Sequence, residues 1–260
     1  MTGETVIRAD GLAQRFGTRT IFREVSFAVH SREVFAILGG SGSGKSTLMK
    51  QLIGLLRPSE GRIEIFGRPI TGTHTETALR GVQRQIGVMF QSGALFGSMT
   101  LLENVMLPLE MFTDLPAEGR EAVARVKLGL VGLSDAASLM PSEISGGMAR
   151  RAGIARAMAL DPPLLFLDEP SAGLDPITSA GLDRLILDLR QDLGATFVVV
   201  THELPSILAI ADRCIMLDRT GFPDAGGAIA EGDPRGLQAT STHPIVRAFF
   251  HRELPEPAAV

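Results

Sequence analysis

Residues 34–56 restrict the possible folds more than any other stretch. VFAILG (34–39) is apolar at every position up to its glycine. A strand with one wet face would alternate, so this run reads as a strand covered on both faces. Gly39, Gly40, Ser41, Gly42, Ser43, Gly44, Lys45 and Ser46 follow, and they fit G-x-x-x-x-G-K-[ST]. STLMKQLIGLL (46–56) then carries leucines at helical spacing and predicts a helix that stops before Arg57-Pro58. A buried strand, a glycine loop and a helix in that order form a phosphate cradle. Glycines let backbone N–H groups curl round phosphate oxygens, and the helix N-terminus adds its dipole. In that cradle Lys45 supplies a point charge for the β- and γ-phosphates. Ser46 offers a hydroxyl to Mg²⁺, and Thr47 stands next to the α-phosphate.

Other buried strands alternate with helices along the chain. VIRADGLAQRF (6–16), IFREVSFAVH (21–30), GRIEIFG (61–67), IGVMFQ (86–91), LLFLD (164–168), TFVVV (196–200) and CIMLD (214–218) read as strands. ITSAGLDRLILDLRQDLG (177–194) reads as a helix between two of them. The pattern predicts an α/β fold with a mostly parallel sheet core. From Leu95 to Arg156 the texture is helical and rich in methionine, as expected of an inserted α-helical subdomain. The expected division is 1–94 for the β-subdomain and the first part of the core, 95–156 for the helical block, 157–225 for the rest of the core, and 226–260 for a C-terminal tail. The end of that tail, ELPEPAAV, is expected to be unpacked.

Composition narrows the function classes. The 260 residues carry a formal charge of −4, and 45% are hydrophobic. That is globular, without the basic field that nucleic acid demands. Cys214 is the single cysteine, so no internal disulfide forms, and its apolar setting predicts a small buried hydrophobe. No apolar run approaches the ~18–20 residues that span a bilayer, and the N-terminus lacks the order of a secretory signal. A soluble chain of a reducing compartment is expected, with any membrane role exerted through a partner.

Five further features add chemistry. Asp168 and Glu169 end the apolar run LLFLDEP, at the strand end where α/β sheets bind ligands. There Asp168 suits the Mg²⁺ shell and Glu169 the polarisation of an attacking water. His202 follows the next strand and suits a γ-phosphate contact. Gln91 ends IGVMF, where its amide can sense Mg²⁺ and the water. Phe16 suits either base stacking or core packing. ISGGMARR (144–151) holds a second glycine-primed helix start, with Ser145, Gly146 and Gly147 able to present N–H groups to an anion. Arg150 and Arg151 beside it suit a solvated face, an anchor for the helix or a contact to a partner subunit.

In this order the parts resemble the ATPase subunit of ATP-binding-cassette (ABC) transporters over residues 5–235. ISGGM stands where the family has LSGGQ, with Met148 in place of the common glutamine. Ala172-Gly173-Leu174-Asp175 resembles the D-loop between paired subunits, which makes Asp175 a nucleotide-site residue. Phe16 stands at the base-stacking position, usually tyrosine, in a chain without Tyr or Trp. The resemblance implies the P-loop ABC ATPase fold with an N-terminal antiparallel β-subdomain, ATP and Mg²⁺ as cofactors, and hydrolysis with Glu169, His202 and Gln91 as catalytic residues. It also implies a head-to-tail pair of copies, in which the SGG helix end of one caps the γ-phosphate held by the other.

SGGMARRAGIARAMALDP, DEPSAGLDPITS and THELPSILAIADR further resemble the ATPases of Mla-type phospholipid transporters. That likeness implies an integral membrane permease, an MCE-domain lipid carrier, a small STAS-like accessory subunit, and a peripheral place on the cytoplasmic face of the inner membrane. Amino acid import and lipoprotein release are the alternatives within transporters, and a soluble ABC protein is the alternative outside them. The apolar residues after Gln91, beginning with Leu95 and Phe96, suit a groove for a permease helix. The C-terminal segment IVRAFFHRELPEPAAV is short, so partner docking through a tail, as in relatives, is expected to be absent or different.

Overall fold

The computed structural model describes residues 3–71, 81–219 and 225–253. They fall into two compact units, 1–74 with 200–260, and 75–199.

The first unit opens with a four-stranded antiparallel sheet in the order β2-β1-β4-β5. Its strands are β1 (Thr5–Phe16), β2 (Arg19–His30), β4 (Glu60–Ile65) and β5 (Arg68–Pro69). The alternation in β1 and β2 turns Ile7, Leu12, Phe22, Val25 and Val29 inward. β3 (Val34–Gly39) is buried at all six positions, as its unbroken apolar run requires. It pairs in parallel with β9 (Arg213–Asp218), and β10 (Gly227–Gly232) closes antiparallel on β9. α1 (Lys45–Leu52) follows the glycine loop. It ends four residues earlier than the leucine spacing predicts. Gly54 takes φ 75°, and the Leu55 and Leu56 amides both return to the Lys50 carbonyl. A left-handed glycine closes the last turn, and leucines beyond it cannot extend the helix.

The tail from Gly226 holds elements that the sequence reading did not assign. Besides β10 there are two helices, α7 (Pro234–Thr240) and α8 (Pro244–His251). In α7, Asp233 caps the first turn by accepting from the Gly236 amide at 2.7 Å, with Pro234 at the first helical position. α8 sends Val246 and Phe250, one turn apart, into a cluster with Ala36, Leu38, Ile207, Cys214 and Met216. Ile207 belongs to α6 (Leu204–Ile210) of the same unit. Most of ELPEPAAV lies outside the described residues.

The second unit is built round two parallel strands, β6 (Ile86–Met89) and β7 (Leu164–Asp168), with β8 (Thr196–Val200) at its boundary. Its helices are α2 (Leu101–Phe112), α3 (Ala117–Leu130), α4 (Gly146–Ala157) and α5 (Pro176–Leu193). A reciprocal cap starts α2: the Thr100 hydroxyl accepts from the Glu103 amide, and the Glu103 carboxylate accepts from the Thr100 amide at 2.7 Å. Leu101, Val105 and Leu109 form its buried stripe. α4 lies close enough to β6 that a Cβ on Gly87 would stand 2.2 Å from the Ala157 carbonyl oxygen. The buried Lys127 ammonium of α3 pairs with Asp161, in the turn before β7.

Candidate functional site

Backbone conformations that only glycine adopts freely build the loop between β3 and α1. Gly39, Gly42 and Gly44 have φ of 145°, 75° and 106°. Gly39 also permits a close approach, since a Cβ there would stand 2.2 Å from the Leu217 carbonyl oxygen. Gly44 caps α1 without any side-chain bond, so the cap residue itself supplies no acceptor to the first turn of the helix. Lys45 is buried, and its ammonium donates to the Gly39 and Gly40 carbonyls at 2.8 and 3.0 Å. Gly42, Gly44, Lys45, Ser46 and Thr47 line a cleft of about 270 Å³, together with Arg19 and Ile21. Ser43 is buried within the loop, while Gly40 and Ser41 lie exposed on its rim. The cradle, its cation and the Ser46 hydroxyl fit a polyphosphate with a hard divalent ion.

The first unit places two further candidates. Phe16 ends β1 and is 51% exposed, which removes it from the core and leaves its ring open to a ligand. His202 follows β8, also exposed, with Nε2 3.8 Å from the Glu203 carboxylate.

The second unit holds the remaining candidates. β7 buries Leu164–Leu167 and releases Asp168 and Glu169, both half-buried, at its C-terminal end. Glu169 has φ 49°, a left-handed conformation that turns the chain sharply at the acidic pair. Gln91 opens a single 3₁₀ turn, Gln91–Gly93, and is exposed. Ser145 caps α4 by accepting from the Met148 amide at 3.2 Å, with Gly146 exposed beside it. Gly147 is buried, and a Cβ on it would stand 2.5 Å from the Thr178 methyl of α5. The Asp175 carboxylate caps α5, accepting from the Ile177 and Thr178 amides and from the Thr178 hydroxyl. These bonds, the hydroxyl's first, hold its carboxyl below the ordinary value.

Sequence reasoning left Arg150 and Arg151 open, and both turn inward. Arg150 donates to the Ala172 carbonyl at 2.8 Å, tying the start of α4 to the turn after the acidic pair. Arg151 donates to the Val131 carbonyl at 3.3 Å. Two other residues escaped it. Asn104 is fully buried on α2 and bonds the 96–100 loop, and Arg156 bonds the carbonyls of Gly93 and Ala94. A polar Asn inside the apolar run LLENVML was the available signal. Arg156 carried none.

A glycine loop between a doubly buried strand and a helix, with a buried lysine and a helix-terminal hydroxyl, defines a P-loop nucleotide-binding protein. Comparison with known proteins narrows the class. Residues 22–172 match the family model described as ABC transporter. The chain is 43% identical over 235 residues to the intermembrane phospholipid transport system ATP-binding protein MlaF of Escherichia coli, covering 90% of this chain and 84% of that protein. It is 40% identical over 245 residues to the probable ribonucleotide transport ATP-binding protein mkl of Mycobacterium bovis, covering 94% of this chain. The chain spans 66% of the length of mkl. Among solved structures, the dimeric post-hydrolysis state of the ATP-binding cassette MJ0796, bound to ADP and Pi, superposes with a TM-score of 0.77 at 29% identity, covering 87% of this chain and 98% of that one. The chain belongs to the ABC transporter family and has the α/β fold of its ATP-binding cassettes.

Proposed function

We propose that the chain is the ATP-hydrolysing subunit of a membrane transporter and that a phospholipid or a related lipid is the cargo. The observation that carries the nucleotide reading is the loop at Gly39–Thr47: positive-φ glycines, a buried Lys45 and a helix start with glycine at its cap. The 43% identity to MlaF over 90% of the chain supports the lipid reading.

The roles follow from the chemistry of each group. Loop amides and Lys45 hold the phosphates, Ser46 contributes a metal ligand, and Phe16 stacks on the base. Asp168 and Gln91 complete the donor set with hard oxygens, which suit magnesium. Magnesium, when bound, neutralises charge on the β- and γ-phosphates. Glu169 polarises the attacking water, and His202 steadies the γ-phosphate with its ring N–H. Ser145, Gly146 and Gly147 present amides and a hydroxyl to the γ-phosphate of a second copy, where Lys45 has already met most of the charge. Asp175, though occupied as a helix cap, stands in the loop that faces the second copy. No helix among the described residues is long and apolar enough to cross a membrane. Work on lipid therefore passes through a permease, at the cytoplasmic face of the inner membrane. An MCE-domain carrier and a STAS-like subunit are the accessory partners that the Mla reading implies. Phe96, Met111 and Phe112, all exposed, give the permease helix an apolar seat.

The test is co-expression with the neighbouring membrane protein, reconstitution, and ATP-driven transfer of labelled phospholipid. Transfer that needs ATP and stops with Glu169→Gln supports the proposal. ATP hydrolysis that responds to an amino acid or a nucleotide and never to phospholipid overturns the lipid reading and leaves the ATPase reading intact.

A further inference from the structure

Two glutamines sit in the apolar interior of the first unit. Gln51, on α1, is 1% exposed, and Gln14, on β1, is 4% exposed. Gln51 Nε2 donates to Gln14 Oε1 at 2.8 Å and to the Ala13 carbonyl at 3.3 Å. Gln14 Nε2 donates in turn to the Arg15 carbonyl, next to Phe16, at 3.0 Å. Gln51 Oε1 meets no partner among the described residues. A buried acceptor in that state costs stability, and two apolar side chains of the same shape would join the elements at less cost. What the amides add is direction, since they bond particular groups of β1 and no others.

That direction falls where β1 lacks a regular ladder. Its pairing with β2 shifts on each side of Gln14: Leu12 faces Val25, Gln14 faces Phe22 and Arg15 faces Thr20. β4 is paired no further along β1 than Ala13. Such shifts loosen the register and re-aim the side chains beyond them. Phe16 is the side chain beyond. It faces Arg19 across the β1–β2 turn, and direct partners project from one side of a hairpin. Arg19 lines the phosphate cleft with Lys45 and Ser46, so Phe16 stands beside that cleft. α1 links the two ends, because Lys45 opens the helix and Gln51 lies in its last turn. On the outer side the Arg15 amide donates to Ser59 Oγ at 3.0 Å, and the Arg15 guanidinium pairs with Glu60 at 2.6 Å.

We propose that Gln14 and Gln51 are positioning residues for the nucleobase. Their amide pair pins the end of β1 to the helix that begins at Lys45, and so holds the Phe16 ring at one place relative to the phosphate cradle. A nucleoside triphosphate binds ring and cradle at once, whereas inorganic tripolyphosphate uses the cradle alone. Ordering the ring in advance therefore raises affinity for the first ligand and not for the second. The inference rests on the ATPase reading and on the stacking role of Phe16 given above, and adds to them the residues that set the ring's place. Every group it uses belongs to the first unit.

The experiment compares wild type, the pair Gln14→Met with Gln51→Met, Phe16→Ala, and all three changes together. Calorimetric titration gives the affinity for ATP and for inorganic tripolyphosphate, and urea unfolding gives stability. Methionine keeps the unbranched shape of glutamine and removes its hydrogen bonds. The urea midpoint of the methionine pair should hold or rise, because no buried acceptor is left unpaired. Its ATP affinity should nevertheless fall by about threefold or more, since the ring must now be ordered during binding. Tripolyphosphate affinity should stay within about twofold of wild type, because the cradle is untouched. KM should rise with kcat unchanged, as expected when only uniform binding is lost. On the Phe16→Ala background the methionine pair should change neither affinity, since the two act through one ring. Wild-type ATP affinity in the methionine pair would overturn the proposal. So would an equal loss for tripolyphosphate, or a further loss of ATP affinity on the Phe16→Ala background. If the methionine pair folds poorly, Gln14→Leu with Gln51→Leu, read the same way, decides the matter. Wild-type protein that binds neither ligand would instead strike the ATPase reading, so the two failures are distinguishable.

Discussion

Lys45 bonds the carbonyls of its own loop through its ammonium, so one residue both stiffens the cradle and supplies its charge. Lys45→Ala removes a charge-assisted contact worth about 1.5–3 kcal/mol. ATP binding should weaken by about tenfold or more, at 1.4 kcal/mol per decade. Equilibrium binding of a fluorescent ATP analogue checks this, and unchanged affinity would remove Lys45 from the phosphate site. Cys214 shows the opposite use of burial. It is 0% exposed, and desolvation, followed by the nearby Asp233 and Glu231 carboxylates, pushes its thiol up to about 12. At pH 8 almost none is thiolate. Iodoacetamide should leave native protein unlabelled and label it fully in denaturant, as mass spectrometry would show. Rapid native labelling would mean that the α8 cluster opens readily.

At the scale of elements, helix starts are set by caps that the sequence displays. The Thr100–Glu103 reciprocal cap and the Asp175 cap both engage carboxylates held below their ordinary values by hydrogen bonds. A depressed pKa means a contribution fully present above the unfolded value, near 3.8 for Asp175, and lost as pH falls through the folded value below it. Both caps therefore stay intact at neutral pH and fail only in stronger acid. Thr100→Ala removes the acceptor for the Glu103 amide and should cost ~1 kcal/mol. The urea midpoint should shift accordingly, and an unshifted midpoint would mean that packing of Leu101 and Val105 alone sets the helix start. Most elements were legible for the same reason that these caps were. β3, β7 and β8 are unbroken apolar runs, and only a strand covered on both faces gives that pattern. Elements whose signals conflict were not. Gly226 and its neighbours masked β10, since glycine reads as loop although pairing to β9 overrides it. In α1 the leucines 55 and 56 continued the helical spacing past Gly54, where the backbone had already turned left-handed. Candidate positions at strand ends were legible because chemistry concentrates there. Arg156 was not, because nothing in a linear sequence shows that the Gly93 and Ala94 carbonyls take their donor from a later helix.

At the scale of the whole molecule, the candidate groups divide between the two units. Phe16, Lys45, Ser46 and His202 belong to 1–74 with 200–260, and Gln91, Ser145, Asp168 and Glu169 to 75–199. If bound ATP also joins two copies, then nucleotide and dimer are linked by mass action: whatever prolongs bound ATP prolongs the pair. Glu169→Gln retains the binding groups and weakens the base, so turnover should fall by about a hundredfold or more. The trapped state should then run as a dimer with ATP and as a monomer with ADP, by light scattering at micromolar protein. Ser145→Arg on that background sets a bulky cation at an exposed helix start that has to approach the other copy. The double variant should stay monomeric with ATP while binding one ATP per chain, because the loop at Gly39–Thr47 is unaltered. A double variant that still dimerises would show that the SGG helix start is not in the interface. A single variant that stays monomeric at saturating ATP would show that ATP does not join the copies, and the second anion-binding helix end would then need another ligand.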